Sequence, residues 1–214
     1  MRNRMRDVRA IGRARPTRTP KRSILIVCEG ERTEPNYLSF FKKELRLSNV
    51  AVEICGSECG SDPLSVVEYG EKRFRKDRSI DDCFCVIDRD AHAIQRYNAA
   101  KIKAQALDDR EKKRDFVLFV SDPCIEYWFL LHFEYCRIPF MANGKKSRAE
   151  AALDRLKIHL PDYAKSMPDL GSVLAPRLDT ACNHARRAMQ DAKETDEPNP
   201  STDLHDLITK LRGR

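Results

Sequence analysis

Five carboxylates in two short runs are the groups of this sequence best suited to chemistry. Glu29, Glu31 and Glu34 lie within six residues, directly after the apolar run Ile24 to Val27. Asp88 and Asp90 follow a second apolar run, Cys83 to Ile87. Hard divalent cations take oxygen ligands, and two such ions stabilise the attacking and the leaving oxygen of a phosphodiester displacement. Residues two apart in an extended segment point the same way, so Asp88 and Asp90 can converge on one ion while Arg89 points away. Acids after strands also serve as helix caps and turn formers. The ordered combination of a strand, Glu29-Gly30-x-x-Thr33-Glu34, a helix and a strand ending in Asp-x-Asp is more specific than either run alone. Glu34 sits where a helix should begin, so the helix dipole would stabilise it in any case. Glu126 stands in an otherwise apolar helix start, four residues beyond Asp122. A carboxylate buried there needs a partner, and a cation shared with Asp88 would be one.

The elements that must position these acids follow from periodicity. Ile24 to Val27 is a continuous β-branched and aliphatic run, as in a strand buried on both faces, and Gly30 permits a tight exit from it. Strands are expected at 23–28, 49–54, 83–87 and 116–120. Helices are expected from 34 to 47 with Thr33 as N-cap, from Asp62-Pro63 onward, across 92–110 with Ile94, Tyr97, Ile102 and Leu107 inward, and across 125–133. Helix patterns between strands imply a mostly parallel sheet covered on both faces. Ligands bind at the carboxyl ends of the strands in such sheets. Beyond about 145 the pattern is helical only (147–159, 175–191, 203–211), with no further strand evident. The expected fold is α/β: a four-stranded, mostly parallel sheet flanked by helices over 23–140, and a helical C-terminal extension over 141–214 packed on it.

The formal net charge of +7 is unevenly placed. Residues 1–22 hold nine Lys and Arg against one Asp, leaving 31 basic and 32 acidic residues in the rest of the chain. This segment reads as a basic, disordered arm suited to phosphate contact. Lys145, Lys146 and Arg148 form a second basic cluster, at a helix start, and are candidates for nucleic-acid binding. No apolar stretch approaches the roughly 20 residues that cross a bilayer, so no membrane is expected and the cytoplasm is the expected location. Eight cysteines in such a compartment do not imply disulfides; Cys83 and Cys85 read as small core residues, and the Cys55-x-x-x-Cys59 pair lacks a partner pair of zinc-like spacing. Trp128, Phe129, Leu130, Leu131 and Phe133 read as core or interface, and His132 as a hydrogen-bonded core histidine. There is no Gly-x-x-x-x-Gly-Lys-Ser/Thr sequence, so any ATP dependence belongs to a partner.

The Glu29-Gly30 and Asp88-Arg89-Asp90 motifs resemble the Toprim domain of topoisomerases, primases and OLD-type nucleases. A longer resemblance, over about 23–212, is to the RloB-like family, which includes the second component of AbiL-type abortive-infection systems. Residues 26–37 (Ile-Val-Cys-Glu-Gly-Glu-Arg-Thr-Glu-Pro-Asn-Tyr), 87–90 (Ile-Asp-Arg-Asp) and 121–133 (Ser-Asp-Pro-Cys-Ile-Glu-Tyr-Trp-Phe-Leu-Leu-His-Phe) carry it, with Asn199-Pro-Ser-Thr202 before the last helix. The resemblance implies a Toprim-like core and a Mg²⁺- or Mn²⁺-dependent nuclease in antiphage defence, acting on DNA, tRNA or other RNA beside an ABC- or AAA-type ATPase. It implies Glu29, Asp88 and Asp90 as catalytic metal ligands for one or two ions; Glu34 and Glu126 are further candidates from their own positions. OLD-type nucleases often place the second acid four residues after the first, whereas Glu34 is five after Glu29, so Glu31 and Glu34 both stay open. The alternative is a non-catalytic Toprim-like module that binds and regulates the ATPase. A homodimer is compatible with either.

Overall fold

A computed structural model of the chain describes residues 22–54, 62–89, 94–108 and 114–213. An interior strand of its sheet is β1 (Ile24–Cys28), buried at every position. It pairs in parallel with β2 (Val50–Ile54) on one side and β3 (Asp82–Asp88) on the other, and β3 pairs in parallel with β4 (Phe116–Asp122). A fifth strand, β5 (Ser201–Thr202), joins the edge antiparallel to β4 and gives the order β2-β1-β3-β4-β5. The fold is therefore mixed α/β with a five-stranded rather than a four-stranded sheet. Two residues between Pro200 and Asp203 are too short to show a period of two. Side-chain hydrogen bonds reinforce the strand pairing: Ser121 Oγ meets Thr202 Oγ1 at 2.9 Å, and the Val120 N–H donates to Asp203 Oδ1 at 2.7 Å.

Alternation along the parallel strands feeds two cores. Ile24, Ile26, Cys28 and Phe84 face α1 (Thr33–Glu44), α4 (Ile125–Leu130), α5 (Arg148–His159), α6 (Leu170–Leu174), α7 (Leu178–Thr195) and α8 (Leu204–Arg212). Leu25, Val27, Cys83 and Cys85 face α2 (Pro63–Lys76) and α3 (Ile94–Leu107). Leu156, Leu174 and Leu207, all from the last third of the chain, share the first core with β1. Local signals set the helix starts. Asp62 caps α2 by accepting from the Leu64 N–H at 3.1 Å, with Pro63 as first residue. Ser147 and Glu150 close a reciprocal capping box on α5. Ala181, Ala185, Ala188 and Ala192 give α7 a small, buried stripe.

Several expectations fail for identifiable reasons. Ile94 and Ile102 are 48% and 67% exposed, while Ala100 and Ala104 are the buried positions of α3. The apolar residues of α3 are scattered round the helix, and small alanines let it lie close to its neighbours. Thr33 is the first helical residue, not the cap; Arg32 takes that place, and Thr33 Oγ1 donates to the Lys165 carbonyl at 3.3 Å. Helix α1 stops at Glu44 because Arg46 turns left-handed, at φ 53°. Helix α4 stops at Leu130 rather than 133. The helix expected over 175–191 runs from Leu178 to Thr195, after a 3₁₀ turn at Ala175–Arg177. Arg22 is anchored, not part of an arm: its guanidinium clamps the fully buried Asp82. Residues 1–21, Cys55 and Cys59 lie outside the described residues. The six described cysteines are buried, and none of them forms a disulfide. Among the described residues no helix is long and apolar enough to cross a membrane.

Candidate functional site

Because β1 and β3 are hydrogen-bonded neighbours with Cys28 opposite Val86, Glu29 and Asp88 leave the sheet at the same edge. The Glu29 N–H continues the ladder to the Val86 carbonyl at 3.2 Å, and Glu29 Oε2 accepts from the Asp88 N–H at 3.3 Å. Glu34, in the first turn of α1, is 5% exposed, and Glu126, in the first turn of α4, is 4% exposed. A cleft of about 360 Å³ is lined by Glu29, Glu34, Asp88 and Glu126 together with Arg32 and Lys165. A cavity of about 610 Å³ shares Glu29, Asp88, Glu126 and Lys165 and extends to Arg148. Gly30 has a specific reason to be glycine: a Cβ there would collide with the Glu34 carboxylate.

The cluster is electrostatically strained. Burial pushes the Asp88 carboxyl well above its usual range, the Glu34, Glu126 and Glu29 charges push it further, and a hydrogen bond from the Ile125 N–H opposes them. Burial raises Glu34 to about 7, with Glu126 and Glu29 adding to the effect and its own backbone N–H and Lys165 opposing it. Glu126 Oε1 accepts from the Tyr163 hydroxyl at 3.0 Å. Asp88 Oδ1 is enclosed with no hydrogen-bond partner. Carboxylates gathered in this way lower their energy either by taking up protons or by sharing a cation.

The structure thus brings together Glu29, Glu34, Asp88 and Glu126, from three separate stretches of sequence. Glu31 is exposed at the rim of the same cleft. Asp90 lies outside the described residues. Of the basic cluster, Lys145 and Lys146 are exposed and Lys146 pairs with Asp154. Arg148 lines the larger cavity and pairs with Asp122 at 3.3 Å. Arg89 leaves the acids for the opposite face, its guanidinium 4.4 Å from the Tyr97 ring centre. The aromatic run of α4 is core, with Trp128 and Phe129 fully buried. His132 is core too, its Nδ1 3.0 Å from the Trp128 carbonyl. Sequence reasoning missed Tyr163 and Lys165. Both lie in the non-helical stretch between α5 and α6, where neither period nor motif marks them; only the Thr33–Lys165 bond and the Tyr163–Glu126 bond reveal their place.

The donor chemistry fits a hard divalent cation: every candidate ligand is a carboxylate, and the partnerless Asp88 Oδ1 is a buried acceptor without a donor. The shell is not closed, since among the described residues no group of three or more His, Cys, Asp or Glu side chains is arranged to hold a metal. Closure round an ion would require side-chain rotation.

No curated protein and no solved structure matches the chain. The family model described as RloB-like protein matches residues 24–211, a span that takes in both cores and every member of the carboxylate cluster. The chain belongs to the RloB-like family.

Proposed function

We propose that this protein is a metal-dependent nuclease that hydrolyses phosphodiester bonds in RNA, tRNA or DNA, and that it is the effector of an antiphage abortive-infection module with a partner ATPase. The observation that carries the chemistry is the meeting of Glu29, Glu34, Asp88 and Glu126 in one cleft, with Asp88 Oδ1 buried and partnerless. The Toprim resemblance of the two motifs supports the same reaction class, and the resemblance to the RloB-like family with its AbiL-type members is the ground for the defence role.

Glu29, Asp88 and Asp90 would hold Mg²⁺ or Mn²⁺, with Glu34 and Glu126 as further ligands to one or two ions. Such an ion, when bound, activates water and neutralises charge on the phosphate. The chain's own residues do the rest. The β3 backbone holds the Glu29 carboxylate through the Asp88 N–H. Tyr163 orients Glu126. Lys165, between both cavities, offers a cation to a bound phosphate, and Arg148 extends that positive wall. Lys145 and Lys146, exposed before α5, add charge for a longer strand.

The test is cleavage of labelled RNA, tRNA and DNA by the full chain with Mg²⁺ or Mn²⁺, with and without its ATPase, in wild type, Glu29→Ala and Asp88→Ala. Cleavage by the wild type that both variants lose is the expected result. Wild-type inactivity under all conditions, with phage protection intact in both variants, would overturn the catalytic reading. It would favour a non-catalytic module that docks on the ATPase, for which the exposed apolar residues Ile138, Met141 and Ile158 offer a contact surface.

A further inference from the structure

A cavity of about 590 Å³ lies between α3 and the β4–β5 edge, on the side of the sheet away from α1 and α4. Its size falls within the roughly 300–1,000 Å³ typical of small-molecule sites. It exists because α2 and α3 cover β1 and β3 more fully than the last strands, leaving Leu118 and Val120 half-buried on its floor. Its walls are chemically divided. Tyr97 supplies an aromatic ring, with the Arg89 guanidinium 4.4 Å from its centre. Lys101, one turn further along α3, supplies a second cation. Asp203 supplies a carboxylate whose Oδ1 is held by the Val120 N–H at 2.7 Å.

An apolar floor for a planar ring, an acceptor for its amino edge and two cations for an anion are what a nucleotide requires. The cavity shares no lining residue with the carboxylate site, but one step of the chain and one ion pair link the two. Arg89 follows Asp88 directly in sequence. Asp122 lines this cavity while pairing with Arg148, which lines the larger carboxylate cavity. We propose that this cavity binds a purine or pyrimidine nucleotide, with the base on Leu118 and Val120, its donor edge at Asp203 and its phosphate at Arg89 and Lys101. The nucleotide is either free or one residue of a strand whose neighbouring phosphate reaches the carboxylate site, and only the second source rests on the nuclease reading.

The test is titration of the full chain in EDTA, where metal-dependent cleavage is silent, with AMP, GMP, CMP, UMP and short single-stranded RNA and DNA oligonucleotides. At least one probe should bind with a Kd below about 1 mM, and Leu118→Trp, which fills the floor, should weaken it about tenfold or more. Lys101→Glu should do the same; Lys101 is exposed, so this variant keeps the test valid even if Leu118→Trp fails to fold. Mononucleotide binding identifies a free ligand, and binding of oligonucleotides alone identifies a strand residue. Absence of binding by every probe, or binding untouched by both variants, would overturn the proposal. Failure of the nuclease reading would show separately, as no cleavage with Mg²⁺ or Mn²⁺, and leaves this measurement standing.

Discussion

Glu29 and Asp88 are joined by a hydrogen bond that runs from one strand to the next: the Asp88 N–H donates to Glu29 Oε2 at 3.3 Å. The backbone of β3 thus aims a side chain of the β1 exit, and sheet pairing itself sets the spacing of two candidate ligands. The bond needs only an oxygen acceptor, so position and charge at Glu29 can be separated.

Glu29→Gln keeps that acceptor and removes the charge, and Asp88→Asn relieves burial of an unpaired acid. Both variants should lose metal-dependent cleavage by about 100-fold or more, on the order of 3 kcal/mol of transition-state stabilisation. Their metal-free thermal midpoints at pH 8 should equal or exceed that of wild type. Parallel single-turnover assays and thermal melts check this; a fall in midpoint together with activity would reduce the residues to structural acids.

Gly30→Ala should disturb the site without disturbing the sheet. The new methyl group collides with the Glu34 carboxylate. The carboxylate is the far end of a flexible side chain and can turn aside, so the metal-free melt should lose about 0.5–1.5 kcal/mol, the cost of an off-rotamer side chain. Adding Glu34→Ala should restore most of it, and a double-mutant cycle reads the coupling. Additive losses would show that the two residues do not interfere.

Tyr163→Phe removes the hydroxyl that donates to Glu126. A hydrogen bond contributes about 0.5–1.5 kcal/mol. The expected signature is a kcat several-fold lower, with KM little changed, if Tyr163 positions the candidate ligand Glu126 and does not hold substrate. A change confined to KM would place Tyr163 on the substrate instead.

Asp203 predicts a pH dependence. Burial raises its carboxyl from 3.8 to about 7, with Asp206 adding to the effect against hydrogen bonds from the Val120 N–H and its own backbone. A group whose folded pKa is raised contributes stability that is complete below the unfolded value, and this is lost as pH rises through about 7. Asp203→Asn keeps an oxygen for the Val120 N–H and cannot ionise. It should melt above wild type at pH 8, by about 2–4 °C for each kcal/mol gained, and match it near pH 4. Equal midpoints at both values would mean the carboxylate is not desolvated.

Arg22→Ala should destabilise by roughly 3 kcal/mol, the scale for stripping a buried charge of its partner. Asp82 is fully buried, and the Asp115 N–H is among the donors that would remain to it. Denaturant unfolding measures the loss, and a change below about 0.5 kcal/mol would mark the pair as surface-like.

What the sequence reveals of this molecule follows the range of its physical signals. The β1 run Ile24 to Cys28 and the Asp62-Pro63 helix start are written in consecutive residues, and both stand where periodicity and capping place them. The α3 face is not legible, because Ala100 and Ala104 carry little hydrophobic weight and yet are the residues that pack. Strand β5 is not legible because it is two polar residues long, too short for a period, and pairs with β4 beside a Ser121–Thr202 side-chain bond. Within the site, Glu29, Glu34, Asp88 and Glu126 stand at element boundaries and can be read locally. Tyr163 and Lys165 cannot, since their importance lies in contacts made 37 and 132 residues away in sequence.

That last separation has a biosynthetic consequence. A ribosome making this chain delivers Glu29, Asp88 and Glu126 well before Tyr163 and Lys165, and β5, which seals the β4 edge beside Asp122, comes later still. The acids therefore wait through most of translation without the hydroxyl and the ammonium that later border them. If the protein cleaves nucleic acid in the cell that makes it, the half-made chain is the safe form, and truncated products that end before residue 160 should be harmless while still carrying all four clustered acids.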